Sequence, residues 1–401
     1  MDAVDDRKAG PGLLRPEDGE AAHRVTFIEV FFDVVFIFAF TQLSRLLLDD
    51  TTIVGLLETI VLTAAIWWIW VDTTWVANWL NPEKWPVRGL ILVLMAVGLT
   101  LSSSLPHAFA DAGWIFAVGI VAIGLTRTVF AIVAFRRRRP DNARNFVRIL
   151  VWTSVAGVLW LVGGFGPEEN RLAIWTVAIA LSFIGPLVYF RVPGLGSTPP
   201  RTWDVSGEHM AERVGLFFII AIGESIIVTG TVFSGVELSP DAVAGYAAAF
   251  VGSVLLWLLY FNHGERGGRE RLEDDEKTGK VARTAYTLVP VVMVIGVVLT
   301  AVADEVVILH PEPGGPAWNA WVICGGPAVY LLGNLLFMRA VGLPWLASHA
   351  VAIVALAVLA AVGTSLSPAS LSWTVNGVLL IVVLVDEWTH RRRLAAAGAQ
   401  H

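Results

Sequence analysis

Charge is the scarcest resource in this chain. Asp, Glu, Lys and Arg make up only 15% of its 401 residues, hydrophobic residues make up 56%, and mean hydropathy is +0.68, whereas soluble domains are about 45–50% apolar. Water is therefore excluded as the main solvent. Cysteine is nearly absent as well: Cys324 stands alone, which rules out an intrachain disulfide, a multi-cysteine metal site and a CxxC redox pair. No block of like charge has the footprint of a nucleic-acid-binding face, so no nucleic-acid partner is expected. The chain also lacks G-x-x-x-x-G-K-[ST], G-x-S-x-G, and any G-x-G-x-x-G in a strand-to-helix setting. These absences argue against a motif-bearing enzyme and imply no cofactor.

What the chain has is apolar length. A membrane helix needs about 20 mostly apolar residues to cross about 30 Å of hydrocarbon. Runs of that kind occur near 27–47, 52–76, 88–104, 113–135, 146–163 and 171–190, and again near 211–233, 241–261, 283–303, 317–338, 345–363 and 370–388. Residues 1–26 are too polar for a secretory signal peptide and read as a tail, so the first helix is expected to stay as a span. The segment 191–208, with Pro193, Gly194, Gly196, Pro199 and Pro200, reads as a linker between a first six-helix half, 27–190, and a second, 209–390. Residues 391–401 form the closing tail. The expected fold is an all-α, polytopic membrane helical bundle of about twelve transmembrane helices.

Loop charge orients these spans. With the N-terminus inside, all of the 28 Lys and Arg residues except Arg45, Arg127 and Arg171 fall on inside segments. Arg45 and Arg171 fall outside and Arg127 lies within a span, so the positive-inside rule places both termini in the cytoplasm. An even number of spans per half is compatible with a 6+6 parallel repeat. Two local echoes favour one: Thr52 to Asp72 aligns without gaps against Asp241 to Phe261, and Met95-x-x-Gly98 resembles Met293-x-x-Gly296. Apolar helices also match one another by composition alone, and both readings stand.

Polar residues inside the spans are the informative ones, because a charge at bilayer depth costs at least about 2.5–3.5 kcal/mol. In the first span Glu29 and Asp33 lie four apart on one helical face, with Gln42 further along. The two carboxylates should repel unless a cation or a proton lies between them, which suits ion handling. Glu29 also suits a helix N-terminus, where negative charge is favoured and water is near. The seventh span begins with His209, Glu212 and Arg213 and carries Glu224 about a dozen residues deep. Arg213 and Glu224, eleven residues and about 16 Å apart, cannot pair with each other. Gly223 removes a side chain where a helix or a substrate could approach. Arg127 in the fourth span needs a carboxylate, with Glu224 and Asp33 as candidates. Glu58 and Asp72, fourteen residues apart near one face of the second span, add acids at both levels.

Six tryptophans, Trp67, Trp68, Trp70, Trp75, Trp79 and Trp85, cluster at the end of the second span and the loop after it. They read as interfacial belt residues, with stacking of a planar apolar substrate as the alternative. His209 and His263, with Glu212 and Glu265, all fall on the cytoplasmic side. No HExxH or comparable spacing makes them a metal site, and surface histidines are the expected reading. Residues 263–283, acidic at Glu273 to Glu276 amid basic residues, read as a solvated loop or interfacial helix.

Two long strings carry a family resemblance. Glu29-Val-Phe-Phe-Asp33-Val-Val-Phe-Ile-Phe-Ala-Phe-Thr41-Gln42 and His209-Met-Ala-Glu212-Arg213-Val-Gly215-Leu-Phe-Phe-Ile-Ile-Ala-Ile-Gly223-Glu224-Ser225 resemble the signature segments of the bacterial low temperature requirement A (LtrA) family, over roughly residues 24 to 390. Val30 and Val34 stand where the family often has leucine. The resemblance implies a multi-pass protein of the bacterial plasma membrane, required for growth in the cold, whose first and seventh helices carry the residues most worth testing. With the buried charges it points to a proton- or cation-coupled secondary transporter of a small solute in which Asp33, Arg127 and Glu224 meet. The other readings are a non-transporting scaffold, a channel or an intramembrane enzyme. The lipid bilayer is the one partner the sequence requires, and oligomeric state is left open.

Overall fold

The computed structural model describes residues 12–15, 25–198, 207–262, 283–310, 312–313, 315–343 and 346–398. Parts of the expected segments 1–26, 191–208, 263–283 and 391–401 lie outside the described residues, His263 and Glu265 among them. Twelve long helices follow one another: α1 Phe27–Asp49, α2 Ile53–Trp79, α3 Trp85–Ser103, α4 Gly113–Phe135, α5 Pro140–Phe165 and α6 Glu168–Leu187. After them come α7 Gly207–Ser234, α8 Pro240–Phe261, α9 Pro290–Leu309, α10 Ala317–Ala340, α11 Ala347–Val362 and α12 Pro368–Gly398. A π-helical turn, Thr284–Leu288, leads into α9. Among the described residues β-pairing is confined to two single bridges, Leu14 with Leu80 and Val192 with Gly196.

Each of the twelve is long and apolar enough to cross a membrane, which makes this a multi-pass membrane protein. The outward faces agree. On α11, Val351, Val354, Val358 and Val362 are each more than half exposed and recur at helical spacing, a stripe that hydrocarbon accepts and water does not. Starts are set locally. Proline occupies the first turn of α3, α5, α8 and α9, where its missing N–H costs nothing. Ser239 caps α8 by accepting from the Ala242 amide at 3.1 Å.

The expected spans and the helices differ at ends where polarity hides helix. α5 begins at Pro140, six residues before its apolar run, because Pro140-Asp141-Asn142 is a helix-start sequence. α9 continues to Leu309 through Asp304 and Glu305, which had seemed to end the run.

The chain divides into two compact units. One comprises Met1–Val35 and Trp68–Met210, the other Phe36–Trp67 and Ala211–His401, so the division falls inside α1, α2 and α7. In the second unit α9 is buried along most of its length. It lies against α10 through glycines that admit backbone contact: a Cβ on Gly296 would sit 2.5 Å from the Tyr330 amide nitrogen, and one on Gly333 would sit 2.7 Å from that of Met293. Small residues of this kind allow close helix approach where no hydrophobic effect drives association. Gly296→Ala is therefore expected to cost about 1–3 kcal/mol by overpacking, read as a lower unfolding midpoint of the purified protein in micelles. The same change at Gly377, whose Cβ would meet nothing within 4 Å, is expected to have little effect.

Candidate functional site

The first unit holds three polar constellations. At the start of α1, Glu29 supplies one half of a capping box: the Thr26 amide and hydroxyl donate to Glu29 Oε2 at 2.9 and 2.8 Å. Arg15 Nη2 donates to both Glu29 oxygens at 3.0 Å, and Arg15 Nε reaches the carbonyls of Leu80 and Ala77 at 3.0 and 3.2 Å. His209 of α7 completes the group. Its Nδ1 faces the Asn78 amide at 3.2 Å and its Nε2 lies 3.0 Å from Glu29 Oε1. Nε2 also lies 3.2 Å from Arg15 Nη2, so the ring touches both members of the Arg15–Glu29 pair. Glu29 and His209 are each 1% exposed. His209 is thus no surface histidine, and Glu29 does not face water as its place at a helix start suggested. The reason is Arg15, a tail residue that brings a guanidinium into the protein.

One turn deeper, Asp33 is wholly buried and accepts from the Trp70 indole at 2.7 Å. Trp67, Trp70, Trp75 and Trp79 are likewise buried, so these four form core and not the expected belt, while Trp85 is exposed. Between α2 and α4, Arg127 pairs with Asp72, and its Nη1 donates to Thr73 Oγ1 at 3.1 Å and the Ile69 carbonyl at 3.3 Å. The carboxylate Arg127 takes is thus Asp72, not Asp33 or Glu224. Three residues within one turn of α2, Ile69, Asp72 and Thr73, serve one guanidinium. Arg127 Nε has no hydrogen-bond partner among the described residues. The guanidinium borders a cavity of about 40 Å³ lined by Trp68, Trp152, Thr153, Trp160 and Phe190, large enough to admit water.

The second unit holds two more. On α7, Glu224 and Ser225 are both 4% exposed. Glu224 accepts from the Thr41 hydroxyl of α1, and the Ser225 hydroxyl donates to Asp304 of α9 at 2.8 Å. Asp304 is itself 4% exposed, and it makes no ion pair among the described residues. Arg45, exposed on α1, is near enough to act electrostatically on Glu224 and on Glu305. Earlier on α7, Phe217 packs edge-on against Phe36, Phe40 and Trp67. Gln42 and Arg213 are buried, while Glu58 and Glu212 are partly exposed. Gly223 opens on free space, a Cβ there meeting nothing within 4 Å, so no helix contact requires it. The other constellation joins Asn334, Ser348, His349 and Asp386 on α10, α11 and α12.

Asp304 was missed because two adjacent acids looked like the end of a span. The signal was present, since Val306-Val307-Ile308 resumes the apolar run at once. Arg15 carried no signal at all: one arginine in a polar tail resembles any other. His349 and Asp386 sit in apolar runs whose other residues outvoted them.

The two strings singled out in sequence touch each other in each unit, through Glu29 and His209 in the first and through Thr41 and Glu224 in the second. Residues 24–384 match the family described as bacterial low temperature requirement A protein. The chain belongs to the LtrA family. It is also 35% identical over 392 residues to an uncharacterized protein of Rhizobium meliloti (strain 1021), covering 96% of this chain and 94% of that one. No solved structure matches. Arg15 lies outside the stretch matched to LtrA, whereas Glu29, His209, Thr41, Glu224 and Asp304 all lie within it.

Proposed function

We propose that this LtrA protein is a proton- or cation-coupled secondary transporter of a small solute, set in the bacterial plasma membrane with both termini in the cytoplasm. Glu224 and Asp304 are its coupling groups. One observation carries the reading: Asp304, on the last third of apolar α9 and buried, is held by the Ser225 hydroxyl and by no cation among the described residues. An isolated buried carboxylate is tolerated in such surroundings only when its charge is neutralised, by a proton or a bound cation. Glu224, next to Ser225 and held by another hydroxyl, gives the site a second carboxylate. Loop charge supports the orientation. Protein that only shaped the membrane would have no use for two deep acids bonded to hydroxyls.

The test is proton flux in proteoliposomes containing a trapped pH dye. An imposed pH gradient is presented with a defined mixture of amino acids, sugars, nucleosides and amines outside. Wild-type vesicles are expected to acidify faster with the mixture than without it. Asp304→Asn and Glu224→Gln are expected to lose at least about tenfold of that flux, which corresponds to about 1.4 kcal/mol of barrier, while eluting as folded protein. Wild-type flux no greater than that of empty vesicles, or Asp304→Asn flux equal to wild type, would defeat the proposal.

A further inference from the structure

The cluster on α10, α11 and α12 is not used by the proposed coupling site, and its hydrogen-bond accounting is unusual. Asn334 Nδ2 donates to the Leu259 carbonyl at 3.2 Å. This fixes the amide orientation and leaves Oδ1 as the acceptor that faces His349 Nε2 at 3.0 Å. Nε2 therefore carries a proton. The other ring nitrogen, Nδ1, lies 3.3 Å from Ser348 Oγ and 3.6 Å from Asp386 Oδ2. Ser348 Oγ in turn lies 2.7 Å from Asp386 Oδ1. His349 and Asn334 are wholly buried and Asp386 is 6% exposed.

Between Nδ1 and the carboxylate there are two acceptors and a single serine proton. With neutral His349 and ionised Asp386, Ser348 serves one of them and leaves the other facing it unpaired, a costly state for buried groups. One added proton completes the set. It can rest on Asp386, which then donates to Ser348 as Ser348 donates to Nδ1, or on Nδ1, which then donates to Ser348 as Ser348 donates to Asp386. The two arrangements interconvert when the Asp386 O–H bond breaks, its proton joins Ser348 Oγ, and the proton formerly on Ser348 passes to Nδ1. Nothing is gained or lost overall: a neutral pair becomes an imidazolium and a carboxylate.

We infer that Asp386, Ser348 and His349 form a binding site for one proton, with the Ser348 hydroxyl as the bridge along which that proton moves. Its ligand is a proton, and the site is separate from Glu224 and Asp304. It stands whether or not the chain transports a solute. No other ion pair of His349 or Asp386 exists among the described residues. On α10, Tyr330 donates its hydroxyl to the Leu256 carbonyl at 2.9 Å and Arg339 is exposed. On α12, Glu387 pairs with the exposed Arg391, Arg392 lies over the Trp388 ring, and His390 is the remaining titratable group nearby. On the packed faces of α8 and α9, the titratable groups are Tyr260, Asp304 and Glu305.

The test is nitrogen NMR of protein carrying labelled histidine, reconstituted in lipid nanodiscs, with the His349 signals identified by their loss in His349→Gln. Across about pH 5 to 9, Nε2 is expected to stay protonated while Nδ1 reports a proton shared with Asp386, giving a shift between the bare and protonated nitrogen values. Ser348→Ala removes the bridge while leaving both titrating groups. It is expected to change the proton affinity read at Nδ1 by roughly tenfold or more, and Asp386→Asn is expected to return Nδ1 to a bare nitrogen. An Nδ1 signal that is bare at every pH, together with no loss of a protonated-carboxyl infrared band in Asp386→Asn, overturns the site. A Ser348→Ala protein that titrates as wild type does overturns the bridge. Ser348 is half-buried and alanine is smaller, so this variant keeps the question answerable even where the other two fail to fold.

Discussion

Replacing Asp72 with alanine is expected to destabilise the protein by about 3–5 kcal/mol, because it strands the Arg127 guanidinium in a buried site. Arg127 is 3% exposed in its side chain and Asp72 is its only carboxylate among the described residues. The remaining bonds, to Thr73 Oγ1 and the Ile69 carbonyl, satisfy N–H groups and leave the charge uncompensated. A second change separates the cost of the stranded charge from the worth of the pair. Asp72→Leu with Arg127→Met removes both charges and keeps the volume, and it is expected to recover most of the loss, since a buried pair and a well-packed apolar pair are often close in energy. The measurement is the unfolding midpoint in mixed micelles for wild type, both single variants and the double. A shift for Asp72→Ala within the roughly 0.5 kcal/mol of an ordinary surface change would mean that Arg127 has no need of Asp72.

This outcome bears on the mechanism as well as on stability. Sequence reasoning enrolled Arg127 in the same site as Glu224, and the structure gives it a carboxylate and two neutral acceptors within a single helical turn of α2. A guanidinium whose charge and both terminal nitrogens are engaged by one helix is suited to fixing the register of α4 against α2. The carboxylates that remain for ion handling are the ones bonded to hydroxyls, which can exchange a proton or a cation without breaking an ion pair to a fixed guanidinium.

Much of the fold was legible because hydrocarbon imposes one rule on every span. Apolar length identified twelve helices, and ends were misjudged where polarity and helix coincide, as at Pro140-Asp141 and Asp304-Glu305, and where apolar residues leave the helix, as at Val188 to Phe190 after α6. The site was legible in part. Glu29, His209, Glu224 and Ser225 stand out because a costly group in an apolar run demands a reason, yet nothing in the run names its partner. Partners such as Thr41, Trp70 and Asn78 are common residues of membrane helices, and their roles exist only once α1, α2 and α7 are packed. Arg15 is the extreme case, a charge in a tail whose meaning depends wholly on the fold.

Arg15→Ala is expected to destabilise the protein, because it takes away the guanidinium that donates to both oxygens of buried Glu29, and breaking a buried pair costs about 3–5 kcal/mol. Glu29 would keep the Thr26 donors and its contact with His209, but a helix-start bond of the Thr26 kind is worth only about 1 kcal/mol. Lysine is expected to recover little. It has no Nε–H, so an ammonium placed where Arg15 Nη2 meets both Glu29 oxygens leaves the Ala77 and Leu80 carbonyls without the donor that Arg15 Nε supplies. Truncation before Thr26 is expected to cost at least as much as Arg15→Ala, because it also removes two backbone bonds of the described residues 12–15, Arg15 N to Trp79 O and Asn81 N to Leu13 O, both 2.8 Å. Arg15→Ala with Glu29→Gln removes both charges and is expected to sit closer to wild type than Arg15→Ala alone. Unfolding midpoints in nanodiscs for the four proteins decide the matter: a double variant no better than Arg15→Ala would show that Arg15 acts through packing of its stem and not through the charge of Glu29.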